Sequence, residues 1–116
     1  MFNYEEYEVK LACGSTDLRK SINGLCDIVM THFTLDPREK TLFGFCNKRR
    51  NLVKILVWED NGFWLHLKRF ERGRMIWPEF LDEEVTMKVS YQDFYHLLKA
   101  PGISQKIKRK EVWKKP

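Results

Sequence analysis

The chain has 116 residues, 43% hydrophobic and 32% charged with sixteen aromatics, enough for one compact domain and too few for two. That composition is too apolar for a disordered chain, and no run approaches the length that would span a bilayer. The formal net charge is +5, yet residues 103–116 hold six basic residues against the single acid Glu111, and the rest holds fifteen of each sign. The body is neutral and the end is cationic.

The opening residues (Met1, Phe2, Asn3, Tyr4, Glu5, Glu6) form no hydrophobic leader, so a cytoplasmic location is expected, with no membrane contact. Three cysteines, Cys13, Cys26 and Cys46, are an odd number without a CxxC, which excludes a disulfide framework in a reducing compartment. His32, His66 and His96 show no finger-type spacing with them. No metal or cofactor is expected, and the thiols are read as buried or half-buried.

In chain order, residues 9–13 form an apolar run closed by Gly14, a strand. Ser15, Thr16 and Asp17 offer N-caps for a helix whose apolar stripe is Leu18, Ile22, Leu25, Val29 and Phe33. Asp36-Pro37 ends it, because a residue before proline is pushed out of the α region. Strand-like runs follow at 41–46, 52–58, 63–70 and 74–77. They are separated by a basic turn at 47–51, by Asp60-Asn61-Gly62, and by Glu71-Arg72-Gly73. An acidic connector (Glu79, Asp82, Glu83, Glu84) leads to a further strand at 85–89. Ser90 with Asp93 opens a helix through Tyr91, Phe94, Tyr95, Leu97 and Leu98. Pro101-Gly102 ends that helix. The expected fold is a small single α+β domain over 1–102, a central antiparallel β-meander packed by two helices, plus a basic, flexible C-terminal tail over 103–116.

Asn61-Gly62 is a strong hairpin signal and implies the pairs Trp58/Leu65, Leu56/Leu67 and Lys54/Arg69 on one face. The other face then carries Glu59/Trp64, Val57/His66, Ile55/Lys68 and Val53/Phe70. The first face is expected to form the core against both helices and the second to be partly wet. Lys48, Arg49 and Arg50 fill one turn, and Lys68, Arg69, Arg72 and Arg74 surround another. Between Lys48 and Arg74 eight basic residues face three acids, so the neutral body is polarised. Aromatics interleaved with cations on a sheet suit nucleic acid, through base stacking and phosphate tracking. They equally suit rings packed under a helix with solvated turns. The tail, with Lys108, Arg109 and Lys110 among Ile103, Ile107, Val112 and Trp113, can bind phosphates without sequence preference. The alternatives for it are a solubility tail or an interfacial segment anchored by Trp113.

Two-metal nuclease chemistry needs several converging carboxylates. Asp17, Asp27, Asp36, Glu59, Asp60 and Asp93 fall into no spaced motif, and Glu8-Val9-Lys10 reads better as an ion pair on a strand edge. Gly14 and Gly24 are isolated, so there is no phosphate loop. The expectation is a protein without catalytic residues, a metal-dependent nuclease being the remote alternative.

The segment Leu11-Ala12-Cys13-Gly14-Ser15-Thr16-Asp17-Leu18-Arg19-Lys20-Ser21, followed by Leu42-Phe43-Gly44-Phe45-Cys46-Asn47-Lys48-Arg49-Arg50, resembles the TnpB accessory protein family of insertion-sequence-66-type transposable elements. The likeness continues through Lys54-Ile55-Leu56-Val57-Trp58, Asn61-Gly62-Phe63-Trp64-Leu65 and Lys68-Arg69-Phe70-Glu71-Arg72-Gly73-Arg74 to Trp77-Pro78. It runs from about Val9 to Ala100, and the lysine-rich tail lies beyond it. The resemblance implies a bacterial accessory protein for DNA transposition, acting beside a separate transposase that supplies the recombinase chemistry.

Two functions follow as expectations. DNA, at the transposon ends or the target, would be bound through Lys48, Arg49, Arg50, Lys68, Arg69, Arg72 and Arg74, with Lys108, Arg109 and Lys110 from the tail. Alternatively the chain is an adaptor that docks on the transposase of the same element through Trp58, Trp64, Phe70 and Trp77, with a homo-oligomer as a further option.

Overall fold

Thr41–Cys46 is buried along its whole length, the mark of a strand covered on both faces, and the other strands are arranged around it. The computed structural model of the protein describes residues 3–80 and 83–99. Its elements are β1 (Glu8–Ala12), α1 (Ile22–Thr31), β2 (Thr41–Cys46), β3 (Leu52–Glu59), β4 (Gly62–Arg69), β5 (Thr86–Val89) and α2 (Tyr91–Lys99). They build one five-stranded sheet in the order β4-β3-β2-β1-β5. The meander β2-β3-β4 is antiparallel, as expected from the turns. β1 pairs with β2 in parallel through the crossover helix α1, and β5 closes the far side antiparallel to β1. The domain is a small α+β fold with a mixed sheet.

Each helix covers a different face. Leu25, Cys26 and Val29 of α1 pack with Phe43, Phe45 and Leu56. Phe94 and Leu97 of α2 pack on the opposite face with Val9, Leu11, Leu42, Val53 and Val57, joined by Tyr4, Phe70, Met75, Ile76 and Trp77. Both helices on the Leu56/Leu65 face is therefore not the arrangement found. The second face carries two fully buried valines, each contributing about 1.5–3 kcal/mol, too much apolar surface to leave to water.

Three further expectations change. The hairpin turns at Asp60-Asn61, with Glu59 opposite Gly62, so the pairs are Trp58/Phe63, Leu56/Leu65, Lys54/Leu67 and Leu52/Arg69. Asp60 takes the left-handed backbone (φ 56), which short polar side chains tolerate, and this frees Gly62 to act as a strand residue. The slip of two positions leaves every side chain on its expected face.

Helix α1 begins at Ile22, four residues after Leu18, because Asp17 captures the chain locally. Its Oδ1 accepts the Arg19 N–H at 3.0 Å and its main-chain oxygen accepts the Lys20 N–H at 3.3 Å, a turn that competes with the helix. Leu18 is buried all the same.

Residues 74–77 form no strand. Met75, Ile76 and Trp77 are buried in a strap that crosses the α2 face, tied by Met75 N–H to the Arg50 oxygen (2.8 Å) and by Trp77 Nε1 to the Ala12 oxygen (2.7 Å). Gly44 leaves room for it: a Cβ there would lie 2.6 Å from Leu11 Cδ2 and 3.2 Å from Trp77 Cη2. At α2, the Ser90 hydroxyl accepts the Asp93 N–H at 3.1 Å, the expected cap. The expected helix end at Pro101-Gly102 and the tail lie outside the described residues.

Candidate nucleic-acid interface

The antiparallel pairing of β3 with β2 and β4 puts the start of β3 and the end of β4 side by side, so two basic segments 20 residues apart in sequence share one end of the sheet. Asn47 shapes the first of them. Its Oδ1 accepts the N–H groups of Asn51 (3.1 Å) and Leu52 (3.0 Å), and its Nδ2 donates to Asn51 Oδ1 at 2.7 Å. Lys48 and Arg49 are held exposed at the tip of that turn. The second segment is sewn to the first through Phe70 N–H to the Asn51 oxygen and Met75 N–H to the Arg50 oxygen, both 2.8 Å. Arg69, Arg72 and Arg74 are exposed along it.

Not every expected cation is available to a ligand. Arg50 is mostly buried, in the left-handed region (φ 62), and reaches Glu79 Oε1 at 2.8 Å and the Gly14 oxygen at 3.4 Å. It fastens the turn to the strap and the β1–α1 loop. The Lys68 ammonium donates to the Leu98 oxygen at 2.6 Å and lies 5.2 Å from the Phe70 ring centre, neutralising the carbonyl end of α2. Arg69 pairs with Glu71 at 2.6 Å, an exposed pair that solvent and salt loosen readily. Among the described residues no carboxylate forms an ion pair with Lys48, Arg49 or Arg72.

The expected aromatic surface is not assembled beside these cations. Phe70 and Trp77 are core residues, 7% and 2% exposed, and so cannot serve as partner-binding anchors. Trp58 packs edge-on against Phe63, ring centres 5.0 Å apart, near the hairpin tip. Trp64 is on the other face, its Nε1 donating to Glu59 Oε1 at 2.9 Å and its ring stacked on His66. At about 3.3 Å of rise per residue, Trp64 stands about 17 Å from Arg69. Lys108, Arg109 and Lys110 lie outside the described residues. The Lys68–Leu98 bond nevertheless places the end of α2 beside the end of β4.

Sequence reading missed three contributors at this end. Arg19 and Lys20 belong to the β1–α1 loop, which the parallel β1–β2 pairing brings to the same end, with Thr16 N–H donating to the Cys46 oxygen at 2.8 Å. Phe80, 62% exposed, lies over Gly14, whose φ of +75 and missing Cβ admit the ring. The signal for the loop was the strand–helix–strand order, which implies a crossover. Phe80 had no local signal.

The titratable groups are arranged for structure. Burial pushes the Cys46 thiol up to about 11 and also raises Cys13 and Cys26, so all three stay protonated, small apolar residues. Burial, with the Glu59 charge adding to it, pushes the Tyr4 hydroxyl up to about 12. Burial likewise lowers His66, favouring the neutral ring, and the Tyr4 hydroxyl and His66 Nε2 share a hydrogen bond of 3.0 Å. Glu8, the start of the Glu8-Val9-Lys10 pattern, pairs with Lys88 at 2.9 Å and Lys10 at 3.9 Å within the sheet. Among the described residues no three His, Cys, Asp or Glu side chains gather where they could hold a metal ion. No helix among those residues is long and apolar enough to cross a membrane.

A family model described as IS66 Orf2 like protein matches residues 7–108. The chain belongs to that family. The match extends into the lysine-rich segment, beyond the limit near Ala100 drawn from motifs alone. Two proteins of Sinorhizobium fredii are similar. "Uncharacterized protein y4jC" is 30% identical over 90% of this chain and 86% of its own length. "Uncharacterized protein y4hO" is 32% identical over 64% of each, so this chain spans less than two thirds of that relative. No solved structure matches. Membership in the IS66 Orf2-like family suggests an accessory role in insertion-sequence transposition.

Proposed function

We propose that the protein is a non-catalytic accessory factor of transposition that binds duplex DNA through its phosphates. The observation that carries this reading is the joining of the 47–51 turn to residues 69–75, which sets Lys48, Arg49, Arg69, Arg72 and Arg74 on one end of the sheet. Backbone-anchored cations suit phosphates at fixed spacing, and the distance of Trp58 and Trp64 from that end speaks against a base-stacking platform for single strands. Helix α2 ends on the same side of the molecule, and the tail cations Lys108, Arg109 and Lys110 follow it in sequence. Fluorescence anisotropy on element-end duplex across a salt series tests the reading. Combined Lys48→Ala, Arg49→Ala and Arg72→Ala should weaken binding and flatten the log–log salt slope by about 3, near 0.9 for each phosphate no longer neutralised. Absence of binding by the unaltered chain at low salt would refute it.

A second reading, an adaptor docking on the transposase, draws on an open groove of about 520 Å³ between α1 and the side chains of Phe80 and Val85. Its apolar lining includes Ile28, Phe33, Phe80 and Val85. Co-purification of the transposase from nuclease-treated extract, lost on Phe80→Asp, would favour this reading over DNA binding.

A further inference from the structure

Among the described residues, β4 is an edge strand of the sheet, eight residues long, with a neighbour on only one side. Its pairing with β3 runs without a bulge from Leu52/Arg69 to Glu59/Gly62, and it contains no proline. The direction of its main-chain groups follows from one bond. Phe70 N–H donates to the Asn51 oxygen, and bonded and non-bonded pairs alternate along an antiparallel ladder. Trp64, His66 and Lys68 therefore turn their peptide groups toward β3. Phe63, Leu65, Leu67 and Arg69 turn theirs to the open edge. Leu67 is 59% exposed and Trp64 44%, so the edge is flanked by apolar surface on both faces of the sheet. A long, unbulged edge flanked by exposed apolar side chains is a template for another strand.

We propose that the strand completing it is β4 of a second copy, the two pairing antiparallel about a two-fold axis at Leu65. In that register Phe63 meets Leu67 of the second copy, Trp64 meets His66, and Leu65 meets itself, so apolar residues face apolar residues or rings. Charge selects the antiparallel direction. β4 leads from the acidic turn at Glu59 and Asp60 to the cations Lys68 and Arg69. Antiparallel pairing sets the cations of each copy against the acidic turn of the other, whereas parallel pairing would set like charges side by side. Lys68 and Arg69 would guard the edge against an arbitrary strand, yet they are matched by this one. The result is a continuous ten-stranded sheet with the two cationic ends facing opposite ways. If those ends bind DNA, one dimer holds two duplex segments.

Sedimentation equilibrium of the full chain, without DNA, tests the proposal. The expected result is a concentration-dependent species of twice 14.0 kDa, weakened by salt. Leu67→Pro removes an N–H that points to the open edge and breaks no bond to β3, so it should give a folded monomer by circular dichroism. Leu67→Lys, which leaves the backbone intact, should weaken self-association at least tenfold and decides the matter should the proline variant misfold. A monomer at every accessible concentration overturns the proposal, as does a dimer whose stability Leu67→Lys leaves unchanged. DNA binding is read separately, so the two readings fail independently.

Discussion

At one end of the β3–β4 ladder, two residues turn the chain: Asp60 and Asn61 connect Glu59 to Gly62. At the other end, the 47–51 turn is braced by paired asparagine side chains, bonded to the strap, and held by Arg50 to both Gly14 and Glu79. Both ends are polar in sequence, and the difference lies in what stands behind them. The strap continues into Met75, Ile76 and Trp77, whose burial anchors the basic end to the core. Among the described residues, the tip side carries the packing of Trp58 on Phe63, the Trp64–Glu59 hydrogen bond and the stacking of Trp64 on His66, with no buried strap behind it. On the proposed reading such bracing helps the cations bind phosphates, because ordering them on binding then costs less.

Removing the strap's anchor should break this contrast most severely. Trp77→Ala deletes a 2% exposed ring and the bond from Nε1 to the Ala12 oxygen, and should cost about 3–5 kcal/mol in urea unfolding. If the loss is under about 1 kcal/mol, the strap is not what supports the basic end. A smaller change separates the two turns. Asn47→Ala strands the N–H groups of Asn51 and Leu52 and should cost about 1–2 kcal/mol. At the tip, Asp60→Gly relieves a left-handed backbone and should be neutral or stabilising by under about 1 kcal/mol. Equal losses from both substitutions, measured by thermal unfolding, would mean that the ends are braced alike.

The smallest expected effect belongs to the tip side of the α2 face. His66 titrates below its usual value in the folded chain, because burial disfavours the charged ring. The unfolded state therefore binds the proton first as pH falls. Stability should be full above the ordinary imidazole value of about 6.5, and should decline as pH drops from there through the lower folded value. His66→Gln should flatten that part of the stability–pH curve. An unchanged curve would show that the Tyr4–His66 contact contributes nothing to it.

Local patterns foretold much of this. Apolar alternation located β3 and β4 and assigned each side chain to its face, since a face survives a register slip of two. Ser90 with Asp93 marked the start of α2. The turn at Asp60-Asn61 was misplaced because Asp tolerates the backbone that Asn-Gly was expected to supply. The late start of α1 was hidden because Asp17 can cap a helix or close a turn, and only the bonds to Arg19 and Lys20 decide which. Of the candidate site, Lys48, Arg49, Arg69, Arg72 and Arg74 were found by charge. Arg50 and Lys68 looked the same in sequence but are tied to main-chain oxygens of their own chain, at Gly14 and Leu98.

The amino-acid sequence by itself determined the class of fold, the family, and the separation of a neutral body from a cationic end, because these depend on composition and short-range pattern. Tertiary structure decided where the charges meet. Parallel pairing of β1 with β2 brought the Arg19–Lys20 loop to the basic end, and α2 crossed to the face opposite α1, ending beside β4. The cations at the end of β4 and the last turn of α2, thirty residues apart along the chain, thereby come to the same side of one molecule. Long-range strand order sets such neighbours, and no local preference encodes it.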